Sequence, residues 1–324
     1  KKQKKMKVKN VLVRFKVEGR GIVNFDTKEQ KFMFNEEPGV VRSQKVKALA
    51  SRNNNNQYAK KDFFRNSKGE LDFNLKISSV CFKKAMFDRD YVAHNPALMH
   101  FESIMYNFIG SVPAQLKGYM ITGSSESLKR KSSITLTDCI QTCNAQSKMD
   151  LHSKSTDRNN ESESTSLYNK ETVGDIKYEG IGDINLKNLQ FVSCDSSFDR
   201  RSFNEDKFNL LKDALKSNIS SFDSKLAYVK LKNTAIDIPE HGFLYSDEDI
   251  LFLVKEYLYR LLETNISRSD AYAKVSSVDI KLVYDVFTDT HQNPKGWISL
   301  NSKEDVENLS FETERFYEEI DYDK

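Results

Sequence analysis

The chain has 324 residues, enough to bury a sizeable core, and its 38% hydrophobic and 30% charged residues are typical of a soluble protein. Charge is segregated: residues 1–150 hold 28 Lys and Arg against 14 Asp and Glu, a net of +14, whereas residues 151–324 hold 22 against 33, a net of −11. No apolar run reaches the ~18–20 residues that span a bilayer, and the basic start lacks the apolar stretch of a signal peptide, so we expect a cytoplasmic protein without a membrane partner.

The residues that most often carry catalysis or bind metals form no motif. The cysteines Cys81, Cys139, Cys143 and Cys194 show no CxxC spacing, and no nearby His or Cys completes a zinc set around Cys139 and Cys143. The five histidines form neither HxH nor HExxH, and the chain has no nucleophile elbow and no Walker A loop. We therefore expect reduced, mostly buried thiols, and the sequence predicts no catalytic residue, metal or cofactor.

Alternating apolar residues predict three strands early in the chain, at residues 8–17, 29–35 and 71–77. Residues 26–70 include a long basic and polar stretch, which predicts a basic loop or insertion. Ser78 and Ser79 then supply the N-cap of a short helix that ends near Phe87. The first quarter therefore combines short strands with one capped helix.

The second quarter is expected to contain another helix and two strands. The helix is predicted at residues 97–109, where Gly110 stops it. Strands at 115–122 and 132–138 flank a basic connection, residues 128–131. Residues 144–166 have few apolar side chains, which predicts a mobile segment.

The acidic half is predicted to contain strand-like alternation at 167–193, helices at 204–217 and 247–263, a strand at 277–288 and an acidic tail at 301–324. Ser246 supplies an N-cap for the second of these helices, with acidic residues in its first turn. The order strand, helix, strand, strand, helix, strand with long insertions favours one elaborated α+β domain over residues 1–324.

Two motifs in the basic half could hold a phosphate backbone. In the first, a strand leads into a helix N-terminus at Ser78 and Ser79, and Lys83 and Lys84 follow within the next turn. Helix N-terminal amides and nearby cations bind phosphate, although an ordinary capped helix with solvated lysines fits the same residues.

The second motif is a cluster of three cations, Lys129, Arg130 and Lys131, followed by Ser132 and a β-branched strand. Cations can bind phosphates and the adjacent hydroxyls can donate to phosphate oxygens. A solvated turn is the alternative interpretation. Arg42, Lys45, Lys47 and Arg52 are further RNA-binding candidates because of their charge alone.

These motifs, in this order, resemble the repeated backbone subunit of type I CRISPR Cascade complexes, a RAMP-superfamily protein that is the seventh of the numbered Cas families. The similar segments are Ile77-Ser78-Ser79-x-Cys81-Phe82-Lys83-Lys84-Ala85, Leu116-x-Gly118-Tyr119, Lys129-Arg130-Lys131-Ser132-Ser133-Ile134-Thr135-Leu136-Thr137-Asp138, and Gly174 to Phe191. The type I-F variant is the most similar. The aromatic RNP signatures of ordinary RRM domains are missing, so stacking of bases on the sheet is not expected.

The resemblance implies an RRM-like (ferredoxin-like) palm, helical fingers and a protruding thumb insertion, with the thumb within residues 165–230. It also implies a non-enzymatic RNA-binding protein of antiviral defence that oligomerises along crRNA and presents it for pairing with target DNA. The implied partners are crRNA, target DNA, further copies arranged head to tail and other Cascade subunits. The RNA contacts would come from Ser78, Ser79, Lys83, Lys84 and the 129–131 cluster.

Two other functions remain open from the sequence. Backbone subunits of type III systems cut target RNA with an aspartate near the end of the first strand, where Asp26 lies here. A metal-dependent RNA endonuclease using Asp26 is therefore one alternative, although a turn-forming Asp fits the same position. A general coat protein for single-stranded nucleic acid is the other.

Overall fold

The computed structural model describes residues 6–26, 30–34, 41–45, 58–87, 101–122, 127–156, 164–197, 200–234, 238–268 and 270–321, with the backbone alone for 26, 30–34, 41–45, 152–156 and 164–168. The strands are β1 (Asn10–Arg20), β2 (Phe25–Asp26), β3 (Gln30–Phe34), β4 (Val41–Lys45), β5 (Tyr58–Ala59), β6 (Lys61–Arg65), β7 (Leu71–Ile77), β8 (Tyr119–Thr122), β9 (Ser127–Arg130), β10 (Ile134–Leu136), β11 (Cys139–Gln141), β12 (Lys148–Thr156), β13 (Ser164–Thr172), β14 (Asp175–Ile184), β15 (Phe191–Ser193), β16 (Ala227–Leu231), β17 (Glu240–Leu244), β18 (Asn265–Arg268), β19 (Ala271–Val283), β20 (Trp297–Leu300) and β21 (Tyr317–Ile320). The helices are α1 (Ser79–Phe87), α2 (Glu102–Ile109), α3 (Val112–Lys117), α4 (Leu186–Gln190), α5 (Phe208–Asn218), α6 (Asp247–Leu262) and α7 (Lys303–Glu307).

A large antiparallel sheet forms the centre of this mixed α/β structure. Its strands follow the order β18-β19-β1-β14-β11-β7-β6, with β10 also paired to β14 and β20 to β19. Strand β1 is central because its apolar residues alternate and bury one face: Val11, Val13, Phe15 and Val17 are all buried. In its register, Val13 lies opposite Gly182 on one side and Ile280 on the other.

The core lies between this sheet and the helices. The rings of Phe15 on β1 and Phe82 on α1 pack with centroids 4.9 Å apart. Gly180 permits this packing, because a Cβ there would lie 2.4 Å from Cζ of Phe15. Helix α6 is held by a capping box, in which Asp249 N–H donates to Ser246 Oγ and Ser246 N–H donates to the Asp249 carboxylate.

A second, smaller sheet packs beside α5 and has the order β15-β17-β16-β21. An aromatic cluster fills the space under it, including Phe203, Phe208, Phe222, Phe243 and Tyr245. A 3-10 turn, Glu205–Lys207, leads into α5. No helix among the described residues combines the length and the apolar character that crossing a membrane requires.

Several predicted elements are confirmed. The strand predicted at 71–77 is β7, the helix after Ser78 ends at Phe87, and Gly110 is the C-cap of α2. The capped helix predicted at 247–263 is α6. Each of these was specified by local signals of spacing and capping.

The segment predicted as a strand at 115–122 begins instead as helix α3. Ser111 Oγ accepts a hydrogen bond from Ala114 N–H, and Pro113 lies in the first turn, so a local N-cap outweighs the strand-like alternation. The basic connection at 128–131 also differs from expectation, because residues 127–130 form β9 and pair with β8.

Two predicted segments contain regular structure. In its described part, the segment 144–166, which is expected to be mobile, contains β12 and the start of β13, which pair antiparallel. The range 165–230, within which the thumb is expected, includes β14, which pairs with β1 on one side and β10 and β11 on the other. The described part of 26–70 is likewise strand-forming, and β6 joins the large sheet.

Candidate nucleic-acid interface

The first motif lies at the N-terminus of α1, where both serines are engaged within the chain. Ser78 Oγ accepts a hydrogen bond from Asn24 Nδ2 at 2.9 Å and a longer one from Cys81 N–H at 3.4 Å. Ser79 N–H donates to Asp138 Oδ1 at 2.8 Å. Ser78 therefore acts as the predicted N-cap, and the amide of Ser79 already binds an internal carboxylate.

Asp138 is this internal anion at the positive end of the helix. Its Oδ2 lies 3.0 Å from Lys76 Nζ. Burial raises the pKa of the Asp138 carboxyl, but the hydrogen bonds from Ser79 and Lys76 outweigh it, so the pKa lies below its usual value. A phosphate reaching this helix end would meet the ionised Asp138, so we do not assign the Ser78 and Ser79 groups as primary phosphate contacts.

Three cations from different parts of the chain act electrostatically on the Cys81 thiol of α1. Burial is the largest influence and raises the pKa of Cys81, while the charges of Arg268, Lys60 and Lys84 lower it. Arg268 is exposed on β18, and its Nε donates to the carbonyl of Val23 at 2.6 Å. The fold therefore packs β18, which lies in the acidic half of the chain, against α1, the helix that carries Lys84.

Lys83 lies on the same helix next to Lys117, the last residue of α3. Burial is the main cause of a lowered pKa for both ammonium groups, and the charge of Lys83 lowers the pKa of Lys117 further. The Asp183 carboxylate opposes this at Lys83. Two half-buried ammonium groups that repel each other favour a bound anion.

In the second motif, Arg130 does not occupy the position that the sequence predicts. Its side chain is buried, with 6% relative exposure. The guanidinium donates from Nε to Gln115 O at 3.3 Å, from Nη1 to Phe191 O at 3.3 Å and from Nη2 to Leu189 O at 3.4 Å. Burial lowers its pKa, and Tyr245, Tyr119 and Tyr317 act in the opposite direction. Arg130 thus joins α3, α4 and β15, and we correct its assignment as an RNA contact.

The neighbours of Arg130 are more accessible. Lys131 is exposed and Lys129 is half-buried. The Ser132 hydroxyl is used locally, since it donates to Ile134 O at 2.6 Å and accepts from Ile134 N–H at 3.3 Å. The two lysines therefore remain the candidates from this motif.

The backbone of Gly118 connects the two motifs. Gly118 has φ 72° and ψ 176°, and a Cβ there would lie 2.4 Å from Arg130 O and 2.7 Å from Ser132 N. This close approach, which only glycine permits, places Lys117 of the Lys83 pair directly beside the chain segment that carries Lys131. The structure therefore joins the two motifs through α3.

The remaining predicted residues cannot be placed at side-chain level. Arg42 and Lys45 lie on β4, whose backbone alone is described, and Lys47 and Arg52 lie outside the described residues. Asp26 pairs with Tyr58 between β2 and β5, and its side chain also lies outside the described part.

Sequence reasoning missed three of the cations that lie beside α1. Lys60 lies inside the predicted basic insertion, residues 26–70, and Lys117 lies inside the second similar segment, so their charge and position were available signals. Arg268 had no local signal, because only the pairing of β18 at the end of the large sheet brings it to α1.

One group of potential metal ligands was also missed. Within the described ranges, Cys194, Glu205 and His241 form the only set of three such side chains whose ligand atoms all lie within 4.8 Å of one another. The three residues are far apart in sequence, so no spacing motif revealed them.

Comparison with known proteins gives three results. No curated protein matches the chain. Solved structures that are similar to it include a "CRISPR RNA-guided surveillance complex" chain (12% identity, TM-score 0.36, 84% of this chain and 68% of that chain covered) and a "CRISPR RNA-guided surveillance complex, pre-nicking" chain (11% identity, TM-score 0.39, 84% and 75% covered). The family model described as "Type I-Fv CRISPR-associated protein Cas7fv-like" matches residues 7–295, and the chain belongs to this Cas7fv-like family.

Proposed function

We propose that this chain is a crRNA-binding backbone subunit of a CRISPR surveillance complex, which displays the guide for pairing with target DNA. The family match over residues 7–295 is the observation that carries this proposal. The subunit acts as a scaffold without catalysis of its own, and several copies follow one guide head to tail beside other Cascade subunits in the cytoplasm.

The cations around α1 support this function. Lys83 and Lys117 form one pair, and Lys84, Lys60 and Arg268 form a group around Cys81. Contacts from such cations to phosphates supply affinity without reading bases, which suits a guide of any sequence. The guide bases then remain available to specify the target by pairing.

The large sheet supports an RRM-like palm. A ferredoxin-like unit has the chain order β-α-β-β-α-β. Here β1, α1, β11, β14, α6 and β19 follow one another in that order, apart from the additional elements between them, and the four strands are neighbours in the order β19-β1-β14-β11. In this interpretation α1 is the first palm helix, so its cations lie on the palm itself.

The thumb is better placed on the β12–β13 hairpin than on the whole of 165–230. This two-stranded ladder runs from the Lys148–Thr172 pair to the Thr156–Ser164 pair and is separate from the large sheet. It connects the palm strands β11 and β14. A long hairpin in this position could reach a neighbouring copy along the guide.

Direct binding measurements test the proposal. The purified chain is titrated with two guide-length single-stranded RNAs of unrelated sequence at several salt concentrations. We expect equal affinities and a linear decrease of log K with log salt, because each neutralised phosphate contributes about −0.7 to the slope for a single strand. A flat salt dependence, or a strong preference for one sequence, would contradict the proposal.

A matched pair of variants identifies the surface involved. Lys83→Ala combined with Lys84→Ala should weaken binding to both RNAs and make the salt slope shallower by about 1.4, two contacts' worth. Lys295→Ala replaces an exposed lysine of the acidic half and is the control. It should leave the RNA affinity and the salt slope unchanged. If the double variant binds like the parent, α1 is not the RNA-binding surface.

A further inference from the structure

Cys194, Glu205 and His241 come from three different elements and meet at one point beside the second sheet. Cys194 directly follows β15, His241 lies on β17, and Glu205 opens the 3-10 turn that leads into α5. The thiol is buried, the imidazole is half-buried and the carboxylate is exposed. None of the three belongs to the cation groups around α1.

The distances between the ligand atoms fit a tetrahedral ion. Cys194 Sγ lies 3.5 Å from His241 Nδ1, and Glu205 Oε2 lies 3.2 Å from the same nitrogen. Zinc bonds of about 2.3 Å to sulfur and about 2.0–2.1 Å to nitrogen and oxygen, at tetrahedral angles, give separations of about 3.6 Å and about 3.4 Å. Two of the three separations are therefore already near those that one shared ion imposes, and all three ligand atoms lie within 4.8 Å of one another.

Hydrogen bonding alone accounts less well for this arrangement. Nδ1 of a neutral imidazole either donates one hydrogen bond or accepts one. If it donates to Glu205 it cannot also accept from the Cys194 thiol, which then donates to His241 O at 3.4 Å instead. The 3.5 Å approach of Cys194 Sγ to Nδ1 then carries no hydrogen bond. An ion accepts lone pairs from all three atoms at once.

A nucleophilic Cys-His-Glu triad is also disfavoured. In such triads the acid orients one ring nitrogen while the other contacts the nucleophile, whereas here both partners approach Nδ1. Cys194 is also buried, which limits the access of a substrate to its thiol.

The surroundings hold the ligands in place and add charge of both signs. The Tyr228 ring stacks on the His241 imidazole, with centroids 4.5 Å apart and planes 19° apart, which fixes the ring orientation. The charge of Asp195 disfavours the ionised thiol of Cys194, and the charge of Arg201 favours it. Glu240, the neighbour of His241, pairs with Arg200 and so stays outside the ligand set.

We propose that Cys194, His241 and Glu205 form a binding site for one Zn²⁺ ion, with water in the fourth position. A mixed sulfur, imidazole and carboxylate set suits zinc. Binding forms a sulfur–zinc bond and releases the thiol proton to solvent. The ion would fasten the turn before α5 to β15 and β17, and this role is independent of RNA binding.

The test uses the full chain after removal of metal with a chelator. Isothermal titration with Zn²⁺ should show one ion per chain, and Co²⁺ in its place should give a thiolate-to-cobalt charge-transfer band. Zn²⁺ should also raise the midpoint of thermal unfolding, because the ion binds the folded chain only. Absence of stoichiometric binding by the folded parent would overturn the proposal.

Two variants at proposed ligands and one control variant locate the binding site. Cys194→Ser should abolish the cobalt charge-transfer band. Glu205→Gln changes an exposed side chain, so the chain should still fold. The affinity for Zn²⁺ should fall by at least about 10-fold, because even the loss of a residue that only supports a ligand typically has that effect. Cys143→Ser, a half-buried thiol elsewhere, is the control and should bind like the parent. Equal binding by all three variants would place the ion elsewhere and overturn the proposal.

Discussion

At the scale of single residues, two neighbours in the basic cluster have opposite environments. Arg130 is buried and donates to three backbone carbonyls, whereas Lys131 is exposed. The sequence shows both as members of one charge run. Arg130 is the last residue of β9 and Lys131 lies just beyond it, but the charge run itself carries no sign of this strand. The site was therefore predicted as a segment, and the individual contacts were not.

Replacing Arg130 tests its structural role. Arg130→Met keeps much of the buried volume but leaves the carbonyls of Gln115, Leu189 and Phe191 without this donor. We expect the free energy of unfolding to fall by about 3 kcal/mol, since each charged hydrogen bond contributes about 1.5–3 kcal/mol and the contributions are not additive. Urea denaturation measures this.

Lys131→Ala is the matched control for that variant. Its free energy of unfolding should change by no more than about 0.5 kcal/mol, as at other exposed positions, while its RNA affinity falls. An Arg130→Met chain as stable as the parent would show that the three hydrogen bonds contribute nothing, and would return Arg130 to the RNA candidates.

Asp138 makes the stability of the chain depend on pH. Its folded pKa is lowered, so its stabilising effect is complete above the unfolded pKa of about 3.9 and is lost as the pH falls through the folded pKa. Asp138→Asn keeps an oxygen that can accept from Ser79 N–H but does not titrate. We expect the parent to lose more stability than this variant between about pH 5 and about pH 2.

Urea unfolding at several pH values checks this prediction. The difference in free energy of unfolding between the two chains should be largest near neutral pH and should shrink as the pH falls below about 4. A constant difference over the whole range would mean that Asp138 titrates alike in the folded and unfolded chains, and its contacts with Ser79 and Lys76 would then not matter.

At the scale of whole elements, the sequence predicted the strands and helices that local signals define. The alternation in β7 and the Ser246 capping box of α6 lie within a few residues, and both elements occur as expected. The pairing of β18 with β19 and the meeting of Cys194 with His241 depend on contacts between distant segments. Periodicity does not encode such contacts, so the sheet order and the proposed zinc site required the structure.

The packing of the end of α3 against the end of β9 depends on the backbone conformation of Gly118. With φ 72° and ψ 176°, it lies in a region that is essentially restricted to glycine. Gly118→Ala adds both this strain and a Cβ that would lie 2.4 Å from Arg130 O. We expect a loss of at least about 1–3 kcal/mol in the free energy of unfolding, measured by urea denaturation.

Gly69→Ala separates the two effects. Gly69 also has a positive φ, 78°, but a Cβ there would meet nothing within 4 Å. Gly69→Ala should therefore carry the cost of a positive φ without a steric clash. Its free energy of unfolding should fall by less than that of Gly118→Ala. Equal losses would mean that the approach of Gly118 to Arg130 relaxes without cost.

At the scale of the whole molecule, the two halves of the chain differ in charge but are not separate domains. The large sheet takes β1 and β7 from the basic half and β14 and β19 from the acidic half. Arg268 from the acidic half accordingly joins the cations beside α1. Net charge predicted a polyanion partner, which the proposed function adopts, but the division into halves did not predict which residues come together.

Head-to-tail packing would bring the acidic surface of one copy to the basic surface of the next. Glu319 and Asp321, exposed near the end of the acidic tail, are suitable positions to test this. The double variant Glu319→Gln with Asp321→Asn should bind a short RNA, which holds one copy, as the parent does. On a guide-length RNA it should bind with lower cooperativity, because attraction between successive copies is reduced.

The control removes an acidic group from the other half. Asp72→Asn changes an exposed residue of β7 and retains an oxygen for the Phe73 N–H, to which the Asp72 side chain is bound. It should leave the cooperativity unchanged or raise it. Binding isotherms on RNAs of increasing length, at one salt concentration, separate affinity from cooperativity. If the double variant weakens binding to the short RNA as strongly as to the long one, the acidic tail acts within one copy, and the attraction between copies must lie elsewhere.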